Sequence, residues 1–303
     1  MKLATVLHDE ETIPVLVNKD GQTFLPLKAA SEKRSGEGDR IPETVLGIIQ
    51  GGESVNGYIQ ELLSWATEDG DGQTMWLPLK EAKLLAPIPR PLKNVFCVGK
   101  NYADHAIEMG GPEDIPEHIM VFTKPPTAVI ADREEIPVHR GITEQLDYEG
   151  ELAIIIGKTG KAIPKTEALD YVYGYTIVND VTARDLQKRH KQFFIGKSLD
   201  GTCPMGPWIV TADEVGDAGN LNIRTTVNGE VRQDSNTKHF IFSIEQIIED
   251  LSKGMTLEPG DIIATGTPAG VGKGFNPPKF LKPGDTIEIE VEKIGALRNT
   301  ISE

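Results

Sequence analysis

Three acids at alternate positions open an apolar run in LDYEGELAIIIGK, residues 146–158: Asp147, Glu149 and Glu151 lead into Leu152, Ala153, Ile154, Ile155 and Ile156. Burying an unpaired carboxylate is expensive, so this stretch needs either water or a counter-cation. In a strand, side chains alternate between faces, which puts Glu149 and Glu151 on one side about 6.6–6.8 Å apart. Tyr148, Gly150, Leu152, Ile154 and Ile156 then take the opposite side, which suits a core. A second apolar strand, in GYTIVNDVTARD, ends in Asp180. Side by side, the two strands would bring three hard oxygen donors to one point, the donor set of Mg²⁺ or Mn²⁺. A solvated strand edge, with Asp180 capping a turn, meets the same spacing, so the pattern alone leaves both readings open.

Other segments carry reactive groups. In NYADHAIEMG, His105 and Glu108 sit at i and i+3, one face of a helix. Glu108 can there hold the imidazole in one tautomer and raise its basicity. The following GGPEDIPEH is rich in Gly, Pro and acids, which suits a lid closing over a substrate. The loop ATGTPAGVG, 264–272, offers backbone N–H groups, that of Gly266 among them, and the Thr267 hydroxyl as a carboxylate cradle. It is no Walker loop, because Thr267 stands where Gly is needed and Gly274 replaces Ser/Thr. His118, His139, His190 and His239 read as surface or packing residues.

The elements that must position these groups are mainly short strands. Residues 1–85 read as a small α+β domain. TIPVLVNKDGQTFLPL is a hairpin turning at Lys19-Asp20-Gly21, and SVNGYIQELLSWATE is a single helix. A Pro-rich linker, 86–94, follows with Pro87, Pro89 and Pro91. Residues 95–303 then alternate β-branched strands with Gly/Pro turns, interrupted by SIEQIIEDLSKG, a helix capped by Ser243 with Ile244, Ile247, Ile248 and Leu251 on one face. The fold class is therefore mainly β with some helix (α+β), unlike a doubly wound sheet.

Composition bounds the partners. With 31 Lys plus Arg against 46 Asp plus Glu, the net charge of −15 argues against nucleic acid or an anionic membrane surface. Attraction of an anionic substrate must then be local. Two cysteines, Cys97 and Cys203, make neither a disulfide framework nor a zinc cluster, which suits a cytoplasmic protein. No apolar run approaches the ~20 residues of a membrane helix.

Five blocks in order, VGKNYADHAIEMG, LDYEGELAIIIGK, YGYTIVNDVTARDLQ, GKSLDGTCPMGPW and GDIIATGTPAGVGKG, resemble the fumarylacetoacetate hydrolase family over about residues 90–303. The likeness is greatest to the bacterial branch holding oxaloacetate decarboxylases and acylpyruvate hydrolases. It implies a mixed β-sandwich roll, a homodimer, and Mg²⁺ or Mn²⁺ on Glu149, Glu151 and Asp180. It further implies His105 and Glu108 as the pair that handles a water or proton. Arg184, Gln187, Lys197 and Tyr102 are implied as pocket residues, with Lys197 serving equally as a structural counter-charge. Asp147 matches no ligand and is expected to hydrogen-bond a bound water or a neighbour.

The implied activity is C–C bond cleavage of a small 2-oxo acid through an enolate stabilised by the metal. Oxaloacetate decarboxylation to pyruvate leads. Acylpyruvate hydrolysis and 2-hydroxy-dienoate isomerisation or tautomerisation are alternatives on the same enolate, and a non-catalytic, partner-binding protein ranks lower.

Overall fold

The computed structural model describes all 303 residues. Its centre is the strand Gly150–Ile156, buried on both faces. Leu152, Ile154 and Ile156 enter one apolar cluster, while Ala153 and Ile155 enter a second. Period-two alternation thus feeds two cores from one strand, which is why the sequence reads as a continuous apolar run rather than an alternating one.

On one side Gly150–Ile156 pairs antiparallel with Val172–Asn179, with Glu151 opposite Val178. On the other it pairs with Ile262–Ala264, which runs parallel to Val95–Gly99, and Met120–Lys124 closes that edge. Beyond Val172–Asn179 lies Cys203–Thr211, and then Lys2–His8, Glu11–Val17 and Thr23–Pro26. Residues 1–85 therefore extend the same 12-stranded sheet. The expected hairpin is present, pairing Val17 with Phe24.

A second, five-stranded sheet covers one face; its middle strands are Asn222–Val227, Thr286–Val291 and Gly295–Ile301. Ile223, Ile289 and Leu297 meet Ile154 and Ile177 there, and the helix Ile244–Ser252 adds Ile247, Ile248 and Leu251. Ser243 caps that helix by accepting from the Gln246 N–H, as its sequence anticipates. The opposite face is covered by the helix Gly52–Glu68 through Tyr58, Ile59 and Leu62, together with Leu3, Leu16 and Ile48.

Two features depart from the sequence reading. Residues 1–85 hold further helices, Leu27–Ser35 and Val45–Gln50, besides the one expected. Each buries only about three residues, too short a stripe for periodicity to stand out. The closing strand Gly295–Ile301 also escaped the pattern because Asn299 occupies an inward position. Its amide is satisfied there by the carbonyls of Ala131 and Glu134, at 2.8 and 2.9 Å.

The sheets approach most closely at Gly150, where a Cβ would stand 2.3 Å from Thr225 Oγ1 and 3.0 Å from Ile289 Cγ2. Gly150→Ala is expected to lower stability by about 1–3 kcal/mol in urea titrations, the usual cost of overpacking. An unchanged midpoint would show that the second sheet gives way freely.

Candidate metal centre and active site

Two ladders of different register build the site. Leu146–Asp147 pairs with Thr182–Ala183, whereas Gly150–Ile156 pairs with Val172–Asn179. Between them, Asp180 N–H donates to the Glu149 carbonyl at 2.9 Å, and Glu149 N–H donates to Asn179 Oδ1 at 3.0 Å. This junction turns Glu149, Glu151 and Asp180 toward one point, with a carboxylate oxygen of each lying within 4.8 Å of the others. All three are buried.

Cations surround two of the three acids. Lys197 Nζ bridges Glu149 Oε2 at 2.8 Å and Asp180 Oδ2 at 2.7 Å. Arg184 reaches Glu149 Oε1 through Nη1 at 2.7 Å and Asp147 Oδ2 through Nε at 2.8 Å. Lys124, fully buried, lies 2.8 Å from Asp180 Oδ1 as an ion contact without hydrogen-bond alignment, and donates to the carbonyls of Val181 and Lys197. Burial raises the Glu149 carboxyl, but Lys197 and Arg184 outweigh it and hold the group down to about 2. Burial likewise opposes the Lys197 charge, yet Asp180 and Glu149 leave its pKa raised.

Glu151 differs. It pairs with no basic side chain; Oε2 accepts the Gly266 N–H at 2.8 Å. Burial, then the negative charges of Asp180 and Glu149, push its carboxyl well above the ordinary range. A carboxylate so placed needs a proton or a cation. Three convergent hard oxygen donors, one of them lacking a counter-charge, fit a divalent metal.

His105 is buried, with Nδ1 3.3 Å from Glu108 Oε2. Glu108 is held in turn by the Gly270 N–H at 3.0 Å, so the helix Ala103–Met109 is docked on the 264–272 loop. His105, Glu149, Glu151, Arg184, Gln187, Lys197 and Thr267 share a cavity of about 320 Å³. A larger groove of about 920 Å³ lies across Trp208 and Arg298, but it contains none of these groups, and the chemistry sits in the smaller one.

The remaining expected residues are spent within the fold to different degrees. Thr267 donates to the Gly150 carbonyl at 3.0 Å and accepts from Gln233 at 2.7 Å, so with Gly266 it braces the acid strand. Tyr102 stacks edge-on against Phe240, and its buried hydroxyl has no partner. Asp147 accepts from Arg184 and from the N–H groups of Gly272 and Lys273, at 2.6 and 3.0 Å for the latter two. It serves a neighbour, of the two roles expected for it. His139 bonds the Asp200 carbonyl, and His118, His190 and His239 are exposed. Lys124 escaped notice because VFTKP reads as an ordinary strand end.

A β-roll bearing a buried acid triad that could hold a divalent metal, beside a His–Glu pair, has the make-up of an enzyme. The sequence profile described as fumarylacetoacetate (FAA) hydrolase C-terminal matches residues 94–302, and the chain belongs to that family. It is 53% identical over 304 residues to the oxaloacetate tautomerase YisK of Bacillus subtilis, spanning 99% of this chain and 100% of that one. Among solved structures, a fumarylacetoacetate hydrolase from the psychrophile Exiguobacterium antarcticum matches with TM-score 0.83 and 41% identity, covering 100% of this chain and 99% of that one. The maleylpyruvate hydrolase of Sphingobium sp. SYK-6, solved with manganese(II) and pyruvate, matches with TM-score 0.76 and 29% identity over 100% and 99% of the two chains.

Removing Lys124 leaves the buried Asp180 charge with Lys197 alone and deprives the Val181 and Lys197 carbonyls of their donor. Lys124→Met is expected to destabilise the metal-free protein by about 3–5 kcal/mol, as when one partner of a buried pair is lost. Added Mn²⁺ should restore part of that in thermal melts. A melt indistinguishable from the parent's would contradict this role.

Proposed function

We propose that the chain is a divalent-metal-dependent enzyme that converts oxaloacetate through an enolate at C3. The observation that carries this is one cavity lined both by Glu149 and Glu151 of the acid triad and by His105, which Glu108 holds from behind. The 53%-identical relative named oxaloacetate tautomerase supports the substrate and puts enol–keto tautomerisation first. The neighbour holding manganese(II) and pyruvate supports a 2-oxo acid beside Mn²⁺, with Mg²⁺ an equivalent hard ion.

Bound on Glu149, Glu151 and Asp180, the cation supplies Lewis-acid polarisation of the 2-oxo group. The protein's own groups do the rest. With Nδ1–H donating to Glu108, His105 Nε2 is left free as the base that takes a proton from C3 or, in the reverse direction, delivers one there. The Gly270 N–H fixes Glu108 and thereby the tautomer. Arg184 Nη2, buried and without a partner, supplies a donor for the substrate's C1 carboxylate.

Tautomerisation moves a proton between C3 and the C2 oxygen: in the enol-to-keto direction the C2 hydroxyl gives its proton to solvent and His105 delivers one to C3, and the reverse order gives the enol. If the C3–C4 bond of the keto form breaks instead, CO₂ leaves, the bond's electrons form pyruvate enolate, and a proton delivered through His105 to C3 gives pyruvate, so decarboxylation is the second reading. Hydrolysis of an acylpyruvate needs a water activated by the same pair, and the maleylpyruvate hydrolase neighbour favours that third route. A homodimer in the cytoplasm completes the proposal, in keeping with the family resemblance and with Cys97 and Cys203 both free and buried. No helix is long and apolar enough to cross a membrane.

The test follows two signals in Mn²⁺-loaded protein: decay of enol-oxaloacetate absorbance and release of pyruvate. Glu149→Ala with Glu151→Ala should abolish the metal-dependent part of both. His105→Asn should slow turnover by about 10²–10⁴-fold, the usual worth of a positioned acid–base group. If the parent speeds neither signal when metal is added, the reading fails.

A further inference from the structure

The cavity that leads to the acids is itself cationic. Six of its sixteen lining residues are Lys or Arg, namely Lys100, Arg184, Lys188, Lys191, Lys197 and Lys273, whereas the whole chain has 31 in 303. Its only acidic lining residues are Glu149 and Glu151. In a protein of net charge −15, such a concentration is not a sampling of the surface.

Arg184 and Lys197 are committed to the acids. The outer four differ in what neutralises them. Lys100 pairs with Asp114 at 2.9 Å, whereas Lys188, Lys191 and Lys273 form no ion pair. Lys188 lies on the exposed last turn of the helix Arg184–His190, and Lys191 follows it. Lys273 is set more firmly, because its backbone N–H donates to Asp147, which Arg184 also holds. Partial burial, and then the Arg184 charge, lower its pKa, with Lys188 and Lys100 adding to the effect. Asp147 offsets part of this, but Lys188, Lys191 and Lys273 are left without an ion-pair partner at the cavity, which costs free energy unless an anion joins them.

We propose that Lys273, backed by Lys188 and Lys100, binds the carboxylate at the far end of the substrate, so that the cavity selects 2-oxo dicarboxylates over 2-oxo monocarboxylates of equal length. The proposal rests on the reading of the site as a 2-oxo acid site. In that pose the C1 carboxylate and 2-oxo group lie at the acid cluster and the distal carboxylate lies at the rim. Lys273 determines specificity and takes no part in proton transfer.

The experiment compares Mn²⁺-loaded parent with Lys273→Met, whose backbone contact to Asp147 is retained. Calorimetry measures binding of 2-oxoglutarate and 2-oxopentanoate, which share chain length and differ in the distal carboxylate, and neither carries a C3 carboxylate to lose. The parent should favour the diacid by about 10-fold or more, the scale of one charge-assisted contact. The variant should lose that preference and bind the monoacid as the parent does. It should also raise KM for oxaloacetate more than it lowers kcat. No diacid preference in the parent, a preference retained in the variant, or equal weakening of both acids overturns the proposal. Because the binding arm needs no turnover, the rim's selectivity stands or falls separately from the reaction assigned above.

Discussion

Four carboxylates buried in one corner of a fold constrain everything around them. Asp147, Glu149, Glu151 and Asp180 are each nearly inaccessible, and isolated charges in such a place are strongly disfavoured. Lys124, Arg184 and Lys197 come from three separate segments to meet them. A buried ion pair holds its geometry only when its remaining donors and acceptors are satisfied. Here Lys124 finds two backbone carbonyls, and Asp147 finds the N–H groups of Gly272 and Lys273. The charge cluster and the loops that bound the cavity are therefore one structure.

That explains why the acids sit where two ladders change register. A regular strand would leave Glu149 and Glu151 on a flat face. The junction at Asn179 and Asp180 lets the second strand's acid close on the first strand's pair. Behind them Ala153, Ile155 and Val178 pack against Leu3, Leu16, Ile48 and Ile59. The apolar contacts of residues 1–85 thus reach the back of the acid-bearing strands, and any loosening there would be felt at the carboxylates. On the opposite face Gly150 admits Thr225 and Gln233, whose amide also supports Thr267.

What the sequence displayed openly was local. Alternation placed Glu149 and Glu151 together, Ser243 marked a helix start, and Lys19-Asp20-Gly21 marked a turn, because each depends on near neighbours. What it concealed was pairing between distant segments. Lys124 is an ordinary lysine until Asp180 is known to lie beside it, and Asp147 could not be given to Arg184 without the register of Leu146–Asp147 against Thr182–Ala183. Lys273, on the flank of the loop 264–272, was given no role. The first strand, Lys2–His8, pairs with Cys203–Thr211, some two hundred residues away, a contact that only the whole sheet reveals. Asn299 breaks an apolar alternation for a reason visible only once the Ala131 and Glu134 carbonyls are in place.

The charge count links the cluster to its ligands. Three basic side chains face four carboxylates, and Glu151 is the one with no basic partner. Without a further cation, the least costly state protonates Glu151, in keeping with its raised pKa. That state is neutral, whereas a divalent ion with Glu151 ionised would leave the cluster one positive charge. An anionic 2-oxo acid gains no net attraction from the first state and is attracted by the second. The same site that solves the problem of buried acids thereby becomes receptive to an anion, in a protein whose overall charge would otherwise turn it away.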